Sequence, residues 1–391
     1  MKAREIGETA TSRDCLTPEK RGARLDGDEQ VAESARYLSL LWSGFRRNGL
    51  ALGGLFFLLL LALCSIFAPF VAPNSETARQ ASRKYAPPEP LHFLDSNGRL
   101  HAPFVYDLSS ERDALSGKIT YKENIRKIMP VRLFVRSSPP SLLFGVFPLG
   151  VRLFGVEGGL WYPFGGDLQG RCVFSRIIYA SRISLAIAVL GALFTVVLGT
   201  AIGTISGYRG GVLDIILQRI IEVTIAFPRI PLWMALAASL PVSWTPLDQF
   251  FLISVVLSIL GWGGLARQIR GLVLSLREND YIMAAKSYGA SNARIMYRHV
   301  LPNVLSITIV NATILIPIMI LGETALSFLG LGLRPPINSW GVLLQDAQSV
   351  QAMQSYIWLL IPGGFVVLSI LAFNFIGDGL RDSIDPYKTQ G

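Results

Sequence analysis

Charge is scarce in this chain. Only 16% of its 391 residues are Asp, Glu, Lys or Arg, while 51% are hydrophobic and the mean hydropathy is +0.44. A soluble globular protein carries roughly 25% charged residues, so the composition argues against that class. Cysteine is nearly absent. Cys15, Cys64 and Cys172 form no spacing pattern, which excludes a disulfide or metal framework. Cys64 lies in an apolar run and reads as a small hydrophobe. Histidine is equally thin: His92, His101 and His299 are too scattered for a metal site. Catalytic triads and paired acids have no recognisable spacing here. The segment Ser116-Gly117-Lys118-Ile119-Thr120 faintly resembles a phosphate loop, but Arg112 and Ile119 stand where that loop needs glycine and Ser/Thr. No apolar core precedes residue 49, so a cleaved signal peptide is not expected. Internal repeats of the kind carriers show are also missing.

What the chain has in abundance is long apolar blocks of about 20 residues, the length that crosses a bilayer as a helix. Six spans are read, at about 49–72, 184–206, 213–240, 250–266, 304–329 and 357–377. The fold class is an all-α polytopic membrane protein. The net charge of +9 is therefore read first against topology, and nucleic acid is not an expected partner. Arg46 and Arg47 precede the first span and place the N-terminus in the cytoplasm. Residues 1–45 are polar and read as a disordered tail. Residues 74–165 form a polar insert on the outer side, since long loops cross regardless of their charge. Its apolar stretch 141–156, broken by Pro148 and Arg152, is read as a folded or interfacial piece. Arg219 and Glu222 are three residues apart and can pair on one helix face. With Glu323 they are the polar candidates for the pathway, because ionisable residues in a span face the bundle interior.

The loop after the fourth span holds Arg267, Arg270, Arg277, Lys286, Arg294 and Arg298, which fixes it inside. Within it, Tyr281 to Asn303 reads as two short helices. Gly289 interrupts the first, Ser291 or Asn292 caps the second, and Pro302 ends it. The product is a compact, basic helix–turn–helix built from small residues, a shape that docks into a groove of another protein. Upstream, 164–185 reads as an amphipathic lead-in lying at the membrane surface, with Arg171, Arg176 and Arg182 among apolar positions.

Four blocks resemble the permeases of ATP-binding-cassette (ABC) importers, in the dipeptide/oligopeptide/nickel branch. They are the Ala284-Ala285…Gly289…Leu301-Pro302 loop, the Asp167…Gly170-Arg171…Ser175-Arg176…Tyr179…Arg182…Ser184-Leu185 segment, Pro335-Pro336…Ser339-Trp340-Gly341, and the tail Gly377-Asp378…Leu380-Arg381-Asp382…Asp385-Pro386. The family often has Glu where this chain has Met283. The resemblance covers about 165–386 and the first span. It implies a type I importer permease with a periplasmic insert, longer than usual, between the first two helices, and a core over 166–386. It implies a coupling loop over 278–303, comprising Met283, Ala284, Ala285, Gly289, Ala290, Ser291, Arg294, Arg298, His299, Leu301 and Pro302. The implied partners are a second permease subunit in a heterodimer, two cytoplasmic ATP-binding subunits, a periplasmic substrate-binding protein and membrane lipid. ATP and Mg would be held by the partner subunits, with no cofactor on this chain and no enzyme activity of its own. Localisation would be the bacterial inner membrane, with both termini, including 387–391, cytoplasmic. The cargo expected is peptide; oligosaccharide or nickel in the same assembly are alternatives. An ion-coupled carrier, using Glu222 and Glu323 as ion sites, is a further one.

Overall fold

The computed structural model describes residues 42–95, 98–112, 119–143, 147–239, 241 and 244–384. Most of the N-terminal tail with Cys15, the Ser116–Lys118 part of the phosphate-loop-like segment, and Asp385-Pro386 lie outside the described residues.

A helical segment over 42–47 leads into α1 (Gly49–Ile66), whose start is capped by the Asn48 side chain. A short helix α2 (Ala68–Val71) closes its far end. After the insert come α3 (Val173–Arg209), α4 (Gly211–Ala226), α5 (Arg229–Ala238) and α6 (Pro246–Leu276). They are followed by α7 (Asp280–Ser287), α8 (Asn292–Ile295), a π-helical turn over Met296–Val300 and α9 (Leu301–Phe328). Two short helices, α10 (Trp340–Gln345) and α11 (Val350–Ser355), precede α12 (Ile361–Ile384). Among the described residues five helices are long and apolar enough to cross a membrane, or six spans when α4 and α5 count as one.

That third span is not the continuous helix expected over 213–240. It bends by 88° between α4 and α5. Pro228 supplies no N–H, and Phe227 before it takes an extended conformation, φ −82° and ψ 137°. The other apolar blocks are helical where hydropathy put them; the first stops short, at Ile66, with the short α2 completing it, and the remaining four run past their block at one or both ends.

α3 and α6 share the most extensive helix–helix contact. A methyl group on Gly203 would lie 2.5 Å from the Ala266 carbonyl oxygen, and one on Gly207 would lie 2.8 Å from that of Arg270. Small residues one turn apart thus let the backbones touch, which is how helices associate within lipid. The main apolar core runs from Val173 and Ile177 on α3 through Leu257 on α6 and Ile320 on α9 to Trp340.

The lead-in to the second span does not lie at a membrane surface. It is the first part of α3, and Val173, Ser175, Arg176, Ile177 and Ile178 are all buried. Arg176 donates to Asp167 Oδ2 (2.6 Å), Asp346 Oδ2 (2.7 Å) and Asn338 Oδ1 (3.0 Å). Asn338 in turn donates to Glu76 at 2.7 Å. Arg171 also pairs with Asp167 at 2.6 Å. The motif arginines thus knot the insert's stem to the loop before α10. A buried guanidinium with two carboxylates has no need to snorkel.

The insert adds a sheet to an otherwise helical chain. Four antiparallel strands lie in the order β1 (His92–Leu94), β2 (Leu100–Arg112), β3 (Ile119–Leu143), β4 (Phe147–Val156). The long β3 pairs with β2 through its first half and with β4 through its second. The stretch 141–156 is therefore largely strand, within a folded piece. Val105, Met129, Val156 and Trp161 form a small core of its own.

Candidate functional site: the helix–turn–helix handle

The turn between α6 and α9 is built by two capping devices. Gly289 has φ +80°, its N–H donates to Lys286 O (3.0 Å), and the Ala290 N–H donates to Ala285 O (3.1 Å). This is the glycine-terminated Schellman closure, and L side chains resist that backbone conformation. Ser291 then caps α8, its Oγ accepting from Arg294 N at 3.3 Å.

Pro302 does not end the second helix. The chain is helical from Asn292 through Phe328, and the π turn lies just before the proline. The Leu301 N–H reaches Met296 O, five residues back. That wider turn draws the preceding carbonyls out of the ring's way, so the helix passes through a proline that would otherwise break it. The Asn303 side chain donates to the His299 carbonyl at 2.7 Å. The second limb of the handle and the fifth span are thus one rod.

One side of the handle is anchored. Ile282 and Ile295 are 2% and 0% exposed and pack with Leu265, Ile269 and Val273 of α6 and with Val300 and Val304. Ala285, Ala290 and Leu301 border this cluster, so these three expected docking residues face partly inward. His299 is also partly buried, with its ring 6.3 Å from that of Tyr281. The other side is open. Met283, Ala284, Gly289, Ser291, Arg294, Arg298 and Pro302 are exposed, and so are Tyr288 (92%) and Tyr297 (78%). Among the described residues Lys286, Arg294 and Arg298 take part in no ion pair.

Several supporting residues were not anticipated. The Tyr208 hydroxyl donates to Asn292 Oδ1 (3.2 Å), and Arg277 donates to Gly207 O (3.3 Å). Arg270 clasps Asp214 with two 2.6 Å bonds, while Ser206 also bonds that carboxylate. The ends of α3, α4 and α6 are thereby clamped directly beside the handle. A cleft of about 900 Å³ opens there, lined by Tyr208, Arg209, Arg277, Met283 and Lys286 among others. Tyr208, between glycines in the stretch Gly207-Tyr208-Arg209-Gly210 at the end of α3, is the one local signal; the Asp214–Arg270 pair, 56 residues apart, leaves none.

The three polar candidates in the spans do not converge. Arg219 and Glu222 pair at 2.7 Å on an exposed face of α4. Glu323 is fully buried on α9, accepting from Ser184 (3.2 Å) and Ser327 (2.8 Å). Ser184 also accepts from Trp340 N and Ser327 from Leu333 N, so the carboxylate sits in a serine cage that ties α3 and α9 to the loop before α10.

Residues 199–389, which contain the whole handle, match the family model of the binding-protein-dependent transport system inner membrane component. Over 361 residues the chain is 30% identical to the dipeptide transport system permease protein DppC of Bacillus subtilis, covering 92% of this chain and 89% of that protein. The chain belongs to this permease family. A second match, to the N-terminal TM domain of oligopeptide transport permease C, covers residues 36–88 and so takes in α1. A Lactococcus lactis DppC is 31% identical across 93% of this chain and 95% of its own length. The oligopeptide transport system permease protein OppC of Haemophilus influenzae is 40% identical across 59% of this chain and 71% of its own. The helical core is accordingly a type I ABC importer permease fold, and the chain is a multi-pass transporter subunit.

Proposed function

We propose that this permease is one half of the translocation pathway of an ATP-driven peptide importer, and that the Asp280–Pro302 handle is where a cytoplasmic ATP-binding subunit grips it. The observation that carries the reading is the handle's two-sidedness. Its apolar side is fixed to α6 and α9, while its other side presents small and aromatic residues, and basic residues without an ion pair, to no other element among the described residues. A displacement applied there moves α6 directly and α9 as one rod, with α3 and α4 drawn along through Asp214–Arg270 and Tyr208–Asn292. ATP and its magnesium ion belong to the two partner subunits. The chain lies in the bacterial inner membrane with both termini in the cytoplasm and the insert in the periplasm, where a substrate-binding protein delivers cargo. Peptide is the cargo that the relatives' names support.

The second permease of the heterodimer seats against α4. That helix exposes Ile215, Ile216, Ile220 and Val223, yet its Arg219–Glu222 pair cannot face lipid tails. A partner helix or an aqueous pathway accounts for both.

Ala284→Trp tests the coupling. Ala284 is exposed, so the larger side chain meets nothing inside the chain and stability changes by no more than about 0.5 kcal/mol. Uptake by the reconstituted complex is expected to fall more than tenfold, with normal membrane insertion. Wild-type uptake by this variant would overturn the assignment of the handle. Gly289→Trp should lose uptake as well, but it also strains a φ of +80° and is the less clean variant. Ligand binding by the cognate binding protein decides between peptide and the alternatives of oligosaccharide or nickel.

A further inference from the structure

The bend between α4 and α5 lies where a membrane protein tolerates irregular backbone least. Two close approaches fix its depth. A methyl group on Gly263 of α6 would lie 3.3 Å from the Ile221 side chain and 3.6 Å from that of Ile225, near the end of α4. Beyond the bend, a methyl group on Gly322 of α9 would lie 2.9 Å from the Trp233 ring of α5 and 2.7 Å from Leu257 of α6. The elbow is thus bracketed by the α6 levels of Gly263 and Leu257. Both fall inside the apolar block 250–266 of that helix, whose centre is Ser258.

Phe227, Pro228, Arg229, Ile230 and Pro231 are all exposed at this elbow. Irregular backbone inside a bilayer persists only when it is buried in protein or borders water. Arg229 narrows that choice. Among the described residues it takes part in no ion pair, and a guanidinium without a counter-charge cannot face lipid tails. One turn on, Trp233 Nε1 is buried with no hydrogen-bond partner among the described residues, so polar groups at this depth are not all satisfied within the chain.

The surface of α4 shows which way the elbow looks. Ile216, Ile220, Val223 and Phe227 recur at i, i+4, i+7 and i+11 as an exposed apolar stripe. Beside it runs a second exposed line, Arg219, Glu222 and Ala226, at i, i+3 and i+7. The apolar stripe suits a partner helix. The second line suits water, and it leads to the elbow. Arg219 and Glu222 cancel one another at 2.7 Å, which leaves Arg229 as the net charge along it.

We infer that Arg229 borders the aqueous pathway near the middle of the membrane and recognises the C-terminal carboxylate of peptide cargo in transit. A linear peptide with a free C-terminus carries that group, ionised, at neutral pH. A guanidinium holds a carboxylate through two parallel hydrogen bonds, and at this depth the attraction is screened less than in bulk water. Side chains of any kind could then pass, because the recognised group is common to all such peptides.

The inference rests on the importer reading above. The test uses the assembled complex in proteoliposomes with its binding protein, and tri-alanine as the probe. Arg229→Gln should assemble normally, since the side chain is exposed, and should lower tri-alanine uptake several-fold. Arg229→Lys should recover at least half of that loss. For access, Cys15 and Cys64 are replaced, buried Cys172 stays, and Arg229→Cys is treated with a negatively charged methanethiosulfonate. The thiol should react in the nucleotide-free or the ATP-locked complex, and saturating tri-alanine should slow the reaction several-fold in the ATP-locked one. Parental uptake by Arg229→Gln, a lysine variant no better than the glutamine one, a thiol unreactive in both states, or a rate indifferent to tri-alanine would each overturn the assignment. Absence of ATP-driven tri-alanine uptake by the parent complex would instead overturn the peptide-importer reading on which it rests.

Discussion

Arg176 is 2% exposed and shared between Asp167 and Asp346 at the insert end of the bundle. At the other end, Arg294 and Arg298 are exposed and take part in no ion pair among the described residues. In the sequence the two groups look alike, as arginines scattered through a polar stretch beside an apolar run. The structure separates them by what satisfies them. Charge that finds its counter-charge inside the chain holds the chain together. Charge left open on a rigid, apolar-anchored element is available to something else. The difference also predicts opposite consequences on substitution.

The largest effect should come from the closed knot. Arg176→Met removes the shared cation, leaving the fully buried Asp167 with Arg171 and Asp346 with Arg171 only at 4.0 Å, so the cost of a broken buried pair is an upper bound here. Breaking a buried pair from one side costs on the order of 3–5 kcal/mol. The expected outcome is little folded protein in the membrane, measured as the detergent-extracted, monodisperse fraction. A well-folded variant with a pure transport defect would break the comparison, because the knot would then be working and not merely holding.

The open end should behave in reverse. The double variant Arg294→Ala, Arg298→Ala should extract and melt like the parent, since both side chains are exposed and lack ion-pair partners. Its association with the ATP-binding subunits should weaken several-fold and lose part of its salt dependence, as removal of rim charges does. Pull-down of the subunits across a salt series reads both. Unchanged association at every salt concentration would show that these arginines only enforce topology.

Much of this was legible beforehand, for identifiable reasons. The spans and the handle follow from hydropathy and from Gly289, Ser291 and the basic loop, all local signals. The misreadings came where a local rule met a distant partner. Pro302 looked like a stop because nothing in the sequence announces the π turn that accommodates it. The stretch around Arg176 looked amphipathic because Asp346, its counter-charge, lies 170 residues away. The sheet was hidden because β3 mixes charge, proline and apolar residues, and because its partner changes from β2 to β4 midway.

A third cluster lies between the two extremes and gives the smallest, most discriminating effect. In the insert, Arg83 pairs with both Glu89 and Asp107, and Lys127 also reaches Asp107 at 2.7 Å. Burial pushes the Glu89 carboxyl up to about 7 despite the arginine and the bond from Tyr162 N. Asp107 is also raised by burial, but the Lys127 hydrogen bond and the Arg83 charge outweigh that and hold it below its usual value. The two acids therefore act in different pH windows. Between its ordinary value of 4.5 and about 7, Glu89 binds more proton in the folded state than in the unfolded one, so the insert should lose stability as pH rises through that interval. Asp107 contributes stability above the usual carboxylate range, and that share is lost only on acidification below it. Glu89→Gln should flatten the slope between pH 5 and 7 (roughly the span between ordinary and shifted values) and leave the acid limb intact. Local melting of the insert in the full-length protein, reported by a dye on Lys122→Cys, measures it. An unchanged slope would mean that Arg83 keeps Glu89 ionised throughout, which would make this cluster a second closed knot of the Arg176 kind.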